Sequence, residues 1–197
     1  MVVSDVTKNE PVAAYGRSKR EAEEHVAKLA ERGVLAISLR PPLVVGADAK
    51  GNWAGLQKLA ATGIPLPFGG IHNERSFIGV WSLAEMIAHL CRSDWHSELS
   101  GNYCVADPGF LSLPDIVTEL RSGMGIPARL FSVPSAIFDW AGALSGRRRQ
   151  FAGLTGNLRV DPSRFLERFG FKPALPVREA IRHSGADYIS GAKGGAR

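Results

Sequence analysis

The 197-residue sequence contains little cysteine and no long apolar run. Its two cysteines, Cys91 and Cys104, share no metal-ligand spacing and predict no disulfide framework, which favours a reducing compartment. No stretch approaches the roughly 18 apolar residues of a transmembrane helix, and the first residues have no secretory pattern. These absences predict a cytoplasmic protein that does not contact a membrane.

Metal-ligating patterns are also missing. None of the five histidines, His25, His72, His89, His96 and His183, stands in an H-x-x-x-H or H-E-x-x-H grouping. Because zinc sites on helices use such spacings, the sequence predicts no metal centre.

Positive charge exceeds negative charge, with a net charge of +5, but the basic residues form only one run, Arg147-Arg148-Arg149. A nucleic-acid-binding surface needs a longer basic stripe with interleaved aromatic residues, and neither occurs. A short charge run is usually an exposed surface, whereas a phosphorylated small molecule needs only one or two well-placed arginines. We therefore expect no nucleic-acid partner.

A tyrosine and a lysine stand one helical turn apart in Tyr15-Gly16-Arg17-Ser18-Lys19, at the start of a helical pattern. Ala22, Val26 and Leu29 fall on the same stripe, which predicts that this face points towards a core. A nearby ammonium favours phenolate over phenol, so the pair could serve proton transfer. The alternative is a structural tyrosine with the lysine side chain reaching to water.

The helical and strand patterns alternate along the chain. A helix from about residue 13 to 32 ends before Gly33, and the apolar run 34–39 after it reads as a strand buried on both faces. Further patterns predict helices over 53–62, 82–91, 112–122, 135–144 and 176–183, and strands over 75–80, 102–106 and 128–133. Three helix starts have cap signals: Ser82 with Glu85, Ser112 with Pro114 and Asp115, and Asp161 with Pro162, the last opening a helix that ends before Gly170.

Three ordered motifs carry a family resemblance: Tyr15-x-x-x-Lys19, residues 40–46 (RPPLVVG) and residues 75–80 (RSFIGV). Together with Glu23 and the closing segment from Asp161 to Pro173, they resemble the extended short-chain dehydrogenase/reductase family. The similarity is greatest to its NAD-dependent sugar-nucleotide epimerases, dehydratases and reductases. It covers roughly residues 12–188 and implies an α/β fold, the carboxyl-terminal part of a Rossmann-type parallel sheet plus a small α/β substrate-binding domain.

The resemblance also implies a division of the chain. Residues 1–50 would be the end of the dinucleotide-binding domain, residues 51–190 mainly the nucleotide-sugar domain, and residues 191–197 a flexible tail. No G-x-x-G-x-x-G turn precedes Tyr15, so the match begins partway through the cofactor domain. Ser4 and Thr7 lie too close to Tyr15 to be the family's catalytic Ser or Thr.

By the same resemblance, Tyr15 exchanges a proton with a sugar hydroxyl, and Lys19 binds the nicotinamide ribose of NAD, with NADP as the alternative. Cofactor contacts are also expected along Pro41, Pro42, Leu43 and Val44, although these residues could simply terminate a strand.

Two further residues are expected to contact a nucleotide-sugar substrate of the UDP type: Arg75 at its diphosphate and Asn52 at the domain junction. The family also implies a homodimer through the Tyr15–Lys19 helix. The competing hypothesis is a truncated, non-catalytic relative that acts as a binding module, because the sequence has no glycine-rich cofactor turn.

Overall fold

The computed structural model describes residues 2–7, 14–134 and 155–194. Within these ranges the helices are α1 (Ala14–Ala30), α2 (Asn52–Ala61), α3 (Val80–Cys91), α4 (Leu113–Met124), α5 (Ser163–Phe169) and α6 (Val177–Gly194). The strands are β1 (Val2–Val3), β2 (Ile37–Arg40), β3 (Leu43–Val45), β4 (Phe77–Gly79), β5 (Gly101–Cys104) and β6 (Arg159–Val160), and a 3₁₀ turn spans Ser97–Leu99.

The strands form three parallel pairs, β1 with β6, β2 with β5 and β3 with β4. In the second pair Leu39 lies opposite Tyr103, and in the third Val44 lies opposite Ile78. Parallel pairs need long crossover connections, which here contain helices α2 and α3. The predicted α/β class with parallel strands is confirmed.

Two apolar clusters lie on either side of β4. Phe77 belongs to a cluster built around α2, α4 and α6, whereas Ile78 belongs to one built around β5, α3 and α5. Adjacent strand residues point to opposite faces, so one short strand contributes to both clusters. The first cluster also contains Trp53, Leu56, Leu120 and Ile181, and the second contains Met86, Tyr103, Phe165 and Phe169.

Helices α4 and α6 touch through their backbones. A Cβ atom built on Gly123 would lie 1.9 Å from the Arg182 carbonyl oxygen, and one on Gly185 would lie 2.2 Å from the Leu120 carbonyl oxygen. Real carbon atoms do not approach oxygen so closely, so both positions require glycine. Beside this contact, Glu119 accepts hydrogen bonds from Arg178 and Arg182 of α6 at 2.7–3.1 Å.

The predicted start of α4 is confirmed. Ser112 and Asp115 form a reciprocal capping box, in which the Ser112 hydroxyl oxygen accepts from the Asp115 N–H and the Asp115 carboxylate accepts from the Ser112 N–H. At the other end Gly125 has the left-handed conformation typical of a helix terminus.

The predicted cap of α3 is wrong. The helix begins at Val80, two residues before Ser82, and Gly79 is its N-cap without a side-chain hydrogen bond. Instead, a carboxylate that follows β5 in the sequence binds the start of α3. The buried Asp107 carboxylate accepts a hydrogen bond from the Gly79 N–H at 2.7 Å and another from the Ser82 hydroxyl. A long-range acceptor therefore replaces the local Ser82–Glu85 pair.

Other predicted elements also differ from the structure. Helix α5 begins at Ser163, one residue after the expected Pro162, while Asp161 still accepts from the Ser163 N–H at 3.0 Å. Helix α6 runs to Gly194, so residues 191–194 continue a helix rather than beginning a tail. The segment 128–133 makes an isolated bridge between Leu130 and Leu66 instead of a strand. The helix expected over 135–144 and the basic run at 147–149 lie outside the described residues.

Candidate active site

Tyr15 and Lys19 lie next to each other on the first turns of α1. The Lys19 Nζ atom lies 5.6 Å from the centroid of the Tyr15 ring. The i, i+4 spacing places them there, and the Ser18 hydroxyl donates to the Tyr15 carbonyl oxygen at 2.9 Å within the same turn. An ammonium and a phenol are thus held side by side.

The expectation that this helix face points into a core is wrong. No residue of α1 is buried, 74% of Tyr15 is exposed, and Ala22 and Leu29 on the same stripe are also exposed. Helix α1 contacts β2, but within the described residues no second layer covers its Tyr15–Leu29 stripe. Helical periodicity defines a face, whereas burial depends on whether another element packs against it.

A charged pair holds α1 against the end of β2. The Arg40 guanidinium donates to both Glu23 carboxylate oxygens at 2.7 and 2.6 Å, a bidentate geometry, and also to the Asp5 carbonyl oxygen at 3.3 Å. Both charged side chains are half-buried, so salt screens their electrostatic attraction less than it screens that of a surface ion pair. Glu23 and Arg40 belong to the quoted motifs, but their pairing could not be read from the sequence.

This pair fixes the position of Tyr15 relative to the sheet. Glu23 contacts the carboxyl end of β2, and Tyr15 precedes Glu23 by eight residues, which is about 12 Å along a helix. Tyr15 and Lys19 therefore extend past the carboxyl end of a parallel strand. Ligands of open parallel α/β sheets bind outside that end of the strands.

The expected cofactor-contact segment follows directly from β2. Pro41 is exposed, and Pro42 is partly exposed. Leu43 packs against the first apolar cluster and Val44 against the second, on opposite faces of β3. Both side chains are partly used in packing, and they remain partly exposed.

Arg75 lies just before β4 and is held by the segment that leads to β6. Its Nη1 donates to the Gly156 carbonyl oxygen at 2.8 Å, while its Nε is buried without a hydrogen-bond partner among the described residues. Burial lowers the pKa of the Arg75 guanidinium. Asn73 supports the same segment: its Nδ2 donates to Gly156 O at 3.3 Å, and its Oδ1 accepts from the Leu113 N–H at 2.8 Å.

Asn52, the other expected substrate residue, is the exposed first residue of α2. Asn52 and Arg75 lie on elements other than the helix that carries Tyr15 and Lys19.

In the described ranges, no group of three or more His, Cys, Asp or Glu side chains could hold a metal ion. No described helix is long and apolar enough to cross a membrane.

Sequence reasoning missed the role of Asp5. Its side chain, only 5% exposed, accepts a hydrogen bond from the Cys104 N–H at the end of β5 and forms an ion pair with Arg164 at 3.5 Å. Burial and the Asp5 carboxylate raise the pKa of the Cys104 thiol to about 12. No local sequence pattern could predict these contacts, because Asp5 is separated from Cys104 by 99 residues and from Arg164 by 159 residues.

The chain matches no known family model. It is 32% identical over 181 residues to a UDP-glucose 4-epimerase from Vibrio cholerae, a match that covers 91% of this chain and 55% of that protein. By this match the chain is similar to the extended short-chain dehydrogenase/reductase family. It corresponds to the carboxyl-terminal portion of such proteins and spans about half the length of the curated relative that it matches.

Solved structures of this family share the fold. A UDP-glucuronic acid 4-epimerase from Bacillus cereus, in complex with NAD, has a TM-score of 0.68 at 16% identity, with 96% of this chain and 56% of that chain covered. The protein RMD from Pseudomonas aeruginosa, complexed with NADPH, has a TM-score of 0.66 at 16% identity, with coverages of 96% and 60%. These likenesses extend the family's fold to nearly the whole of this chain.

Proposed function

We propose that this chain forms the carboxyl-terminal part of an NAD(P)-dependent nucleotide-sugar epimerase, dehydratase or reductase. The observation that carries the proposal is the contact between Tyr15 and Lys19 on a helix that extends past the carboxyl end of β2. The sequence similarity to a protein named UDP-glucose 4-epimerase supports a UDP-linked sugar as the substrate class.

Tyr15 is the residue that exchanges a proton with the substrate. Its phenol Oη gives the proton to, or takes it from, a hydroxyl on the reacting sugar carbon, and Lys19 lies beside its ring. The Glu23–Arg40 pair keeps α1 at a fixed distance from the sheet, so that both side chains stay at the strand end.

The residues present fit one end of a nicotinamide cofactor. Tyr15 and Lys19 are exposed side by side, so both can donate to ribose hydroxyls, and the backbone from Pro41 to Val44 lies just after the strand. A bound nicotinamide supplies the hydride acceptor and donor for the sugar carbon. The pyrophosphate end would need a glycine-rich turn, which this sequence does not contain.

Arg75 is proposed to bind the substrate diphosphate. Its guanidinium is anchored through Nη1 to Gly156, which leaves the Nη2 donors for phosphate oxygens. Asn52, exposed at the start of α2, is a second proposed substrate contact.

The test joins the full chain behind the part of the Vibrio cholerae relative that precedes the matched segment. We expect this fusion to interconvert UDP-glucose and UDP-galactose, and Tyr15→Phe to lower kcat by about 10²-fold or more, because phenylalanine cannot transfer a proton. The measurement is the steady-state rate with added NAD, together with the melting temperature of each variant.

Tyr188→Phe is the matched control, because it removes a hydroxyl from a residue packed against the first apolar cluster. Its rate should equal that of the parent fusion. A Tyr15→Phe fusion that keeps near-normal turnover would rule out the assignment, as would a folded Tyr188→Phe fusion that loses as much turnover as Tyr15→Phe.

A non-catalytic binding module is the second candidate, favoured by the exposure of Tyr15 and the missing glycine-rich turn. Both candidates predict that the chain alone binds dinucleotide poorly. Calorimetry should therefore detect no binding of NAD to the chain alone at micromolar affinity. Only the fusion experiment distinguishes the enzyme from the binding module.

A further inference from the structure

A groove lies between the second half of α1 and the strands β2 and β5. This α1–β5 groove has a volume of about 120 Å³, and its walls include Val26, Ala27 and Ala30 on the helix side and Ser38, Gly101 and Asn102 on the strand side. Alanine and glycine at three of these positions leave space that longer side chains would fill. Protein cavities of roughly 150 Å³ bind benzene, so one small ring fits a groove of this size.

The strand wall of the groove is polar. On the other face of the β2–β5 pair, Ile37, Leu39 and Tyr103 pack into the second apolar cluster. Because side chains alternate between the faces of a strand, Ser38 and Asn102 point towards α1. The two residues lie opposite each other in the register of β2 and β5, so their polar groups share one part of the groove.

These two polar side chains are available to a ligand. In the part of the chain that the structure describes, neither the Ser38 hydroxyl nor the Asn102 carboxamide makes a hydrogen bond to another residue, although both residues are half-buried. Ser100, on the same wall, differs from them because its Oγ accepts from the Ala36 N–H at 3.0 Å. A bound group that pairs with Ser38 and Asn102 therefore displaces no hydrogen bond within the protein.

The groove is separate from the candidate active site. Val26 follows Tyr15 by 11 residues, which is about 16 Å along a helix. Gly101 is the first residue of β5, whereas the ligands of open parallel sheets bind outside the carboxyl ends of the strands. An inference about this groove therefore does not rest on the proposed function.

We propose that the α1–β5 groove binds a planar nitrogen heterocycle of the nucleobase type. The Asn102 carboxamide presents a donor and an acceptor side by side, which matches a ring edge with an acceptor nitrogen next to an amino group, as in adenine. The Ser38 hydroxyl supplies a further hydrogen bond, and Val26 contacts the apolar face of the ring. No described residue that lines the groove is charged, which favours a neutral ligand over a phosphate or a carboxylate.

The test titrates the isotope-labelled full chain with 9-methyladenine and follows the amide signals by NMR. We expect saturable shifts of the Asn102 side-chain amide and of the backbone amides of residues 26–30 and 100–102. The Kd should be on the order of 1 mM, as the small size of the ligand allows. The matched ligand is 9-methylpurine, which has the same ring without the amino group and should bind at least about fivefold more weakly because one hydrogen bond is lost.

The variant Ala27→Leu narrows the groove from the helix side and should weaken binding of 9-methyladenine at least about tenfold, while leucine keeps a high helix propensity. The matched control is Ala22→Leu, the same substitution at an exposed position of α1 outside the groove, which should leave the Kd unchanged. Asn102→Leu removes the hydrogen-bonding edge at nearly constant size, so this variant should no longer distinguish the two ligands. Circular dichroism checks that each variant is folded.

Four results would overturn the proposal. An absence of saturable shifts at concentrations well above the expected Kd would mean that the groove binds no nucleobase. Shifts centred on Tyr15 and Lys19 rather than on Asn102 would place the ligand at the candidate active site. Equal Kd values for 9-methyladenine and 9-methylpurine would exclude recognition of the amino edge. An unchanged Kd in folded Ala27→Leu would place the ligand outside the groove.

Discussion

At the scale of single residues, Arg121 holds two loops together. Its buried guanidinium donates to three backbone carbonyl oxygens: Ala60 at 3.1 Å, Ile64 at 2.7 Å and Ala128. Burial and the nearby Arg129 lower the pKa of Arg121. Ala60 lies in the last turn of α2, Ile64 lies between α2 and Leu66, and Ala128 lies between α4 and Leu130. One side chain therefore holds both segments of the Leu66–Leu130 bridge.

Replacing Arg121 with methionine should lower the free energy of unfolding by about 2–4 kcal/mol, because one buried and two partly buried hydrogen bonds to carbonyl groups lose their charged donor. Chemical denaturation of the full chain measures this loss. Arg168→Met on the exposed side of α5 should change it by less than about 0.5 kcal/mol. Equal effects of the two substitutions would contradict a structural role for the Arg121 hydrogen bonds.

The two cysteines should differ in reactivity. The thiolate is the reactive form, and burial with the Asp5 carboxylate raises the pKa of Cys104 to about 12, so this thiol stays protonated at neutral pH. Titration of the native chain with Ellman's reagent at pH 8 should therefore release one equivalent, and a second only after unfolding. Cys91→Ser should abolish the first equivalent; two rapid equivalents in the native chain would disprove the arrangement.

At the scale of secondary-structure elements, the contact of α4 with α6 depends on two glycines. Gly123→Ala or Gly185→Ala should each destabilise the chain by about 3 kcal/mol or more, because the new methyl group overlaps a backbone carbonyl that cannot move independently. Thermal and urea unfolding followed by circular dichroism measure the effect.

Gly55→Ala provides the opposite control within α2. A Cβ there meets nothing within 4 Å, so alanine should stabilise the helix by about 0.5–1 kcal/mol. Stabilisation by all three substitutions would mean that α4 and α6 do not touch as described.

Element boundaries could be predicted where local chemistry decides them. Ser112 and Asp115 start α4, and Gly170 ends α5, because caps and left-handed glycines act within a few residues. The start of α3 could not be predicted in this way. The Gly79 N–H donates its hydrogen bond to Asp107, which is separated from Gly79 by 28 residues.

The same limit applies to the candidate site. The spacing of Tyr15 and Lys19 was enough to place them side by side, and this was confirmed by the structure. The burial of their helix face was predicted wrongly, because periodicity carries no information on which neighbours are present. The Glu23–Arg40 pair and the anchoring of Arg75 to Gly156 needed three-dimensional coordinates.

At the scale of the whole molecule, Asp107 links stability to pH. Burial raises the pKa of Asp107 above its ordinary value, although the Gly79 N–H and the Ser82 hydroxyl oppose this shift. The folded state then binds this proton more tightly than the unfolded state. Stability from this group is therefore greatest at low pH and falls as the pH rises from about 4 through the raised pKa.

Asp107→Asn keeps an acceptor for the Gly79 N–H but removes the titration. We expect the free energy of unfolding of the parent chain, minus that of this variant, to decrease as the pH rises from 4 to 7. Urea denaturation at several pH values gives this difference, in which contributions of other carboxylates cancel. A difference that stays constant or increases with pH would contradict the described environment of Asp107.

The backbone contact at Gly123 and Gly185 has a mechanical consequence. With no side chains between them to deform, helices α4 and α6 cannot slide or roll past each other and must move as one lever. A ligand that displaces the Ser112 end of this lever would also shift α6, which contacts β3 and β4. Binding at that end would then be transmitted by rigid rotation of both helices rather than by local rearrangement.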